Sequence, residues 1–301
     1  MINAHTFFTI VVPTYNRAHL LPKTIENILQ QTYGHYEIII VDDGSTDNTE
    51  DVIQKYISEK VHYYKKTNAE RAAARNYGTI KAIGDYINWN DSDDLMKENN
   101  LEEAAKLVQK TNNPELFAVG YQYIDTTGKL IYESNFSDNI NQDLYKGNQF
   151  AMNSMFVRRD IALANLFNED LELSASEDYE LWLRLAAKYK IYTCEARTAL
   201  YIWHDERSTV TMRDPTQLIK RYTKFLYYST TNPEVLLLLG KHKKTFLMKN
   251  YLILAVDLAI NRYRFLSVKY LAKGFVNSPA LVFERGFFAF AKYFFKSLLP
   301  K

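Results

Sequence analysis

An α/β protein built on a mostly parallel sheet is expected from three features of the first hundred residues. Short apolar runs over residues 7–12, 36–41, 61–64 and 85–89 are rich in β-branched and aromatic side chains and show little polar alternation, as strands buried on both faces do. Segments with apolar residues at helical spacing separate these runs, and loops of Pro, Asn, Asp, Gly and Ser mark each exchange.

Residues 7–12 make the first strand, closed by Pro13, which brings no backbone N–H. Residues 17–31 then carry Leu20, Leu21, Ile25, Ile28 and Leu29 at helical spacing. The second strand, 36–41, runs into a turn-rich loop, 42–47, around Gly44, and residues 49–56 are helical with Val52, Ile53 and Tyr56 inward. A third strand follows at 61–64. Residues 70–83 are alanine-rich and helical, Gly84 ends that helix, and strand 85–89 delivers Asp91, Ser92, Asp93 and Asp94. Farther on, 101–108 reads as a helix, 117–121 as a strand, and 121–132 as a hairpin around Thr126, Thr127 and Gly128. Residues 179–188 put Leu181, Trp182, Leu185 and Ala186 on one helical face. Glu177 and Asp178 just before them suit the positive end of that helix, a structural reason as good as a catalytic one.

A chain of 301 residues with 47% hydrophobic residues buries a large core, which fits one large domain or a domain with an appendage. The single cysteine, Cys194, excludes an intrachain disulfide, and the first residues lack the basic and apolar regions of a secretory leader. A reducing, cytoplasmic setting is expected. No apolar run approaches the roughly 20 residues of a membrane span. The net charge of +2 hides an asymmetry: residues 241–301 hold 12 Lys or Arg against Asp257 and Glu284, a balance of +10, which leaves −8 for residues 1–240. The chain has an acidic body and a basic tail.

Three carboxylates clustered after a strand repel one another unless a cation or hydrogen-bond donors compensate them. A divalent metal carrying a phosphorylated ligand is one compensator; a polar loop in which Ser92 or Asp94 caps the helix starting near Glu98 is the other reading. Ligands on parallel sheets sit at the carboxyl ends of the strands. Residues 13–17, 42–45 and 91–94, which follow strands one, two and four, therefore share one rim.

Four segments resemble family 2 of the inverting glycosyltransferases, in their order and spacing over roughly residues 7–210. They are Val12-Pro13-Thr14-Tyr15-Asn16-Arg17, the stretch from Val41 to Asp47, the stretch from Glu70 to Asp94 with Ala74, Arg75, Asn76, Gly78 and Gly84, and Glu177-Asp178-Tyr179-Glu180-Leu181-Trp182-Leu183-Arg184. Asn90 and Glu98 depart from the pattern, which often has an apolar residue and a proline there; neither is assigned any chemistry. The resemblance implies a GT-A fold, with a catalytic domain over 1–215 (nucleotide-binding part about 1–97, acceptor part about 98–215) and a basic, aromatic-rich helical region over 216–301. It also implies a surface-polysaccharide role, with a nucleotide-sugar donor and a glycan or lipid-linked acceptor.

In that family's terms Pro13, Thr14 and Tyr15 bind the donor, with Tyr15 stacked on the base, and Asp43 accepts a hydrogen bond from a ring N–H, which suits uracil. Arg71 and Arg75 meet the base or pyrophosphate, although an ion pair holding the loops explains Arg75 as well. Asp91 holds the ribose or the metal, Asp93 coordinates Mn²⁺ or Mg²⁺, and His204 lies where some relatives present a metal-side histidine. Asp94 caps the next helix. Asp178 is the general base for a single inverting displacement, and Glu177 raises its proton affinity or orients the loop.

In the tail, Asn232 and Pro233 cap a helix over 234–239; Leu247, Tyr251, Leu254 and Leu258 trace a long helix, and 268–275 a second. Phe287, Phe290, Phe294 and Leu298 share one face of the last segment, with Arg285, Lys292 and Lys296 on another. Such a segment suits an anionic bilayer surface on the inner face of a cell membrane, so residues 280–301 are a candidate peripheral contact. A hairpin packed on the catalytic domain or a contact in a homo-oligomer is the competing reading. A non-catalytic nucleotide-sugar-binding protein is the alternative function. Nucleic acid is not an expected partner, because the body is acidic.

Overall fold

The structure is a computed structural model that describes residues 6–204 and 213–298. In chain order the first elements are β1 (Phe8–Thr14), α1 (Leu21–Leu29), β2 (Tyr36–Asp42), α2 (Thr49–Ile53), β3 (Val61–Lys65), α3 (Glu70–Lys81), β4 (Tyr86–Trp89), β5 (Leu95–Met96) and α4 (Asn100–Lys110). Then come β6 (Leu116–Asp125), β7 (Leu130–Glu133), α5 (Ile140–Asp143), β8 (Met155–Arg158), α6 (Arg159–Ala164), α7 (Glu177–Lys188) and β9 (Ile191–Trp203). The C-terminal helices are α8 (Pro215–Thr231), α9 (Pro233–Leu239), α10 (Lys243–Ile260), α11 (Arg264–Asn277) and α12 (Arg285–Leu298).

The chain divides into two compact units. The first takes residues 6–138, Gln149–Glu169 and Tyr189–His204 and contains every strand of the described residues in one sheet, ordered β3-β2-β1-β4-β8-β6-β9-β5 with β7 on β6. The expected parallel arrangement occupies half of it: β3, β2, β1 and β4 are parallel neighbours. The other half is mixed, because β8 runs antiparallel to both β4 and β6, β9 parallel to β6, and β5 antiparallel to β9. Phe8, Ile10, Val12, Ile38 and Ile40 form one buried layer under α1 and α4, with Leu21, Ile25, Ile28 and Leu101. Leu29, expected on that helical face, is exposed.

Two local expectations change. Pro13 lies inside β1, opposite Val41, rather than closing the strand; the pairing with β4 already stops at Val11. Helix α3 ends at Lys81, and Gly84 is not its cap. A Cβ on Gly84 would sit 2.6 Å from the Thr9 backbone nitrogen, so the residue lets the chain cross directly against β1.

The second unit takes Asn139–Asn148, Asp170–Lys188 and residues 213–298. Its core joins α8, α10, α11 and α12 through Leu218, Tyr222, Leu252, Leu254, Leu258 and Tyr270. Helix α7 belongs to this packing: the Tyr179 ring stacks 4.7 Å from that of Phe225 and lies 6.3 Å from Phe246. Asn232 caps α9 as expected, its Oδ1 accepting from the N–H groups of Glu234 and Val235. Phe287, Phe290 and Phe294 turn inward onto the helical core, whereas Phe288 and Phe295 point out. No helix among the described residues is long and apolar enough to cross a membrane.

Candidate active site

The rim of the first unit is assembled by interlocking loops. After β1, Asn16 adopts a left-handed backbone (φ 51°), and its Oδ1 accepts from the N–H groups of Thr46 (2.8 Å) and Asp47 (3.3 Å). Asp47 answers by accepting from the N–H of Ala18 at 3.1 Å and from the Thr49 hydroxyl at 2.6 Å. Partial burial pushes the Asp47 carboxyl up, but these donors outweigh it and hold the group below its ordinary range. After β2, Asp42 is buried and its carboxylate accepts from the Ser45 N–H and the Tyr63 hydroxyl. Burial and that carboxylate together push the Tyr63 hydroxyl pKa up. Gly44 takes φ +80°, and a Cβ there would lie 2.9 Å from the Asn68 nitrogen, so both the turn and the approach need glycine.

Of the expected donor-binding residues, Tyr15 is 47% exposed at this rim, as a stacking ring requires, while Thr14 and Pro13 are buried in β1. Asp43 is only 4% exposed. Its Oδ1 accepts from Lys66 Nζ at 2.6 Å and from the Ala69 N–H at 3.1 Å. Lys66 was given no role by the sequence, although it lies directly after β3, on the same edge as Asp43. Arg71 is half-buried in the first turn of α3, behind a left-handed Glu70 (φ 71°).

The acidic loop is held from every side. Asn90, fully buried, donates through Nδ2 to the carbonyls of Asp91 and Asp94, both at 3.0 Å, so this departure from the family pattern braces the loop. The Ser92 carbonyl accepts from the Thr24 hydroxyl at 2.8 Å. Asp94 is fully buried and accepts from the Ile202 N–H at 3.0 Å. It ties the loop to β9 instead of capping the next helix, which begins at Asn100 behind Asn99. Arg75, 2% exposed, donates to Asp91 at 2.7 Å, and its guanidinium lies 5.5 Å from the Phe167 ring. That burial places Arg75 beneath Asp91, in the ion-pair setting the sequence allowed for it.

Asp93 is the meeting point. Its Oδ2 accepts from Arg17 Nη1 at 3.0 Å and lies 3.0 Å from His204 Nε2. Arg17 stood in the quoted motif without an assigned role; a guanidinium needs no motif of its own to find a carboxylate across a rim. Asp91, Asp93 and Asp94 each present an oxygen within 4.8 Å of the others. Hard carboxylate oxygens at this spacing suit Mg²⁺ or Mn²⁺, and with Asp94 buried the accessible donors are Asp91 and Asp93.

The two expected catalytic residues belong to the second unit. Asp178 stands in the first turn of α7, where its Oδ2 accepts from Asn148 Nδ2 at 2.9 Å and its Oδ1 from the Tyr179 N–H at 2.7 Å. The Tyr179 hydroxyl in turn donates to the Leu144 carbonyl, pinning α7 to the segment that carries Asn148. Glu177 is buried beside it. Asn148, 30 residues away in sequence, has no local signal that would have revealed it.

Comparison with known proteins decides the family: the description "Glycosyl transferase family 2" matches residues 9–167, just over half of the chain. The chain belongs to glycosyl transferase family 2. An uncharacterized glycosyltransferase of Rickettsia felis is 34% identical over 190 residues, 62% of this chain and 31% of that protein. Glycosyltransferase GlyG of Streptococcus pneumoniae is 37% identical over 127 residues, 41% of this chain and 42% of GlyG. The chain spans under a third of the length of the first three Rickettsia relatives. Among solved structures, residues 1–349 of S. aureus TarS in complex with UDP-GlcNAc align with a TM-score of 0.65 at 15% identity, covering 91% of this chain and 90% of that one. The mannosyltransferase PcManGT of Pyrobaculum calidifontis, in complex with GDP-Man and Mn²⁺, aligns with a TM-score of 0.60 at 16% identity, covering 99% and 88%. At that identity the likeness establishes the GT-A fold of this family 2 chain.

Proposed function

We propose that this family 2 chain transfers a glycosyl group from a nucleotide-sugar donor, a UDP sugar, to a hydroxyl of a glycan or lipid-linked acceptor in surface-polysaccharide synthesis. The observation that carries the reading is Asp93: a carboxylate held by Arg17 and His204, beside Asp91, on the rim that also carries Tyr15 and Asp43. An exposed ring and a buried carboxylate on one rim suit a base that stacks and offers a ring N–H. In this reading residues 1–97 bind the nucleotide, 98–215 the acceptor, and 216–301 form an appendage.

Chemically, one displacement is required. The acceptor oxygen bonds to the anomeric carbon as the bond from that carbon to the diphosphate breaks; the electron pair leaves with the diphosphate, and the hydroxyl proton passes to the Asp178 carboxylate. An α-linked donor then yields a β-linked product. Asn148 and the Tyr179 N–H orient Asp178 for that proton, each through one oxygen. Arg75 positions Asp91, and Asn90 fixes the loop from within. Asp93 and Asp91, with His204 adjacent, would hold Mn²⁺ or Mg²⁺, which neutralises charge developing on the leaving diphosphate. The support for these roles is the donor chemistry of the rim, the family, and the nucleotide sugars in the TarS and PcManGT complexes.

A donor screen tests the reading without an acceptor: slow hydrolysis of UDP, dTDP and GDP sugars is followed with Mn²⁺. UDP sugars are expected to dominate. Dominant GDP-sugar hydrolysis would overturn the role of Asp43, and the absence of both binding and hydrolysis for all three would overturn the function.

A further inference from the structure

The C-terminal helices leave an apolar face uncovered that is not the one the sequence singled out. On α11, Phe265 is 82% exposed and Val276 84%, with Phe275 and Val268 about half exposed at 49% and 46%. At 3.6 residues per turn these four side chains fall within an arc of about 100°. They line one side of the helix, Phe265 and Val268 toward its start and Phe275 and Val276 at its end, with the exposed Ala272 between. The opposite side carries the buried Ser267, Tyr270 and Gly274 that pack the helix onto its own unit, so the stripe has no partner inside the fold. A monomeric surface rarely leaves so many large apolar groups aligned without a use.

The charges beside the stripe select the occupant. Lys269 and Lys273 flank it, and the Lys273 ammonium lies over the rings of Tyr270 (4.9 Å) and Tyr251 (5.7 Å). The two acids in residues 241–301 are both engaged internally. Asp257 is half-buried and accepts from the Tyr222 hydroxyl at 2.9 Å, and Glu284 accepts from Lys249 at 2.6 Å. The described surface of this segment is therefore apolar and cationic, with no acid left to face a lysine. A symmetric contact between two copies through the stripe would set Lys269 and Lys273 against their own counterparts. An anionic bilayer supplies both complements: acyl chains for the stripe and headgroup charge for the lysines.

We propose that the outer face of α11, with Phe265 and Val276 as its inserted side chains and Lys269 and Lys273 as its headgroup contacts, seats the protein on an anionic lipid surface. This goes beyond the transferase reading and does not depend on it, because lipid binding requires neither donor nor metal.

The test is co-sedimentation of the full chain with vesicles of phosphatidylcholine, with and without phosphatidylglycerol, alongside sedimentation velocity of the lipid-free protein. The unaltered chain is expected to pellet with the anionic vesicles, less so at high salt, and to stay in solution with neutral ones. Lys269→Ala with Lys273→Ala should lower the partition about 30-fold, roughly fivefold for each lysine. Phe265→Glu with Val276→Glu should abolish binding while leaving the urea transition in place, since both side chains are already in solvent. Failure of the unaltered chain to bind anionic vesicles overturns the proposal. So does unchanged binding by the Glu pair, or a dimer in the unaltered chain that the Glu pair dissociates, which would assign the stripe to a second copy.

Discussion

Asp93 has the Arg17 guanidinium and a His204 ring nitrogen on one oxygen, and that crowding makes a specific forecast. Arg17 and a divalent ion would compete for the same lone pairs, so Arg17→Ala should tighten Mn²⁺ binding measured without nucleotide, by about tenfold if one charged hydrogen bond is released. Isothermal titration with Mn²⁺ reads it; weaker binding would mean that Arg17 supports the ion rather than replacing it. Asp178→Asn tests a different step. Removing a general base costs on the order of 10²- to 10⁴-fold in turnover, and UDP affinity should stay unchanged because Asp178 is assigned no donor contact. Normal turnover by that variant would take the proton-accepting role away from Asp178. These residues differ in how far the sequence disclosed them. Asp91 and Asp93 stood out because three carboxylates in four positions are expensive to leave uncompensated. Arg17 and Lys66 did not, since a cation's partner is set by tertiary distance and not by spacing along the chain.

At the scale of elements, strands and helices were legible wherever local periodicity and burial agreed. β1, β2 and β3, and α3 with the strand after it, appear within a few residues of expectation. The misreadings arose where packing overrode punctuation. Pro13 continues β1 because the pairing with β4 has already ended, and Gly84 serves a close crossing instead of a helix end. That crossing predicts a stability effect. In Gly84→Ala the new methyl would meet the Thr9 nitrogen at 2.6 Å and the Phe8 carbonyl carbon at 2.8 Å, both backbone atoms that cannot rotate away. Overpacking of this kind costs about 1–3 kcal/mol. The urea midpoint should fall with an unchanged slope. The Asn16–Asp47 lock predicts a pH effect in the same language. Its carboxyl is held below the ordinary range, so the lock is in place above the usual carboxylate pKa of about 4 and is lost as pH falls through the lowered value. Protection of the Ala18 and Thr49 amides against hydrogen exchange, taken relative to their intrinsic rates down that range, should fall in the native chain; in Asp47→Asn it should be low already at neutral pH.

For the whole molecule, the charge asymmetry was visible in composition, but the way the chain partitions was not. A boundary near residue 215 is expected from the sequence, which turns helical and basic from about residue 216. Packing divides the chain elsewhere: α7, with Asp178 in its first turn, shares a core with helices that lie after that boundary. Tyr179 stacks on Phe225, and Lys188 at the end of α7 pairs with Glu234 at 3.1 Å. No local pattern foretells such a long-range union, since α7 reads as an amphipathic helix whatever covers its apolar face. The consequence separates the two halves of the proposed chemistry. A chain ending at residue 215 loses Phe225 and Phe246 from beside Tyr179, and with them the surface that orders the first turn of α7. The rim with Tyr15, Asp43 and Asp93 lies in the first unit and keeps its own hydrogen bonds. Such a truncated chain should therefore bind UDP and Mn²⁺ with affinities within a few-fold of the full chain, yet show no transfer, with fast hydrogen exchange confined to residues 177–188. Transfer at the full rate by the truncated chain would show that α7 is ordered without the C-terminal helices, and the shared core would then have no part in presenting Asp178.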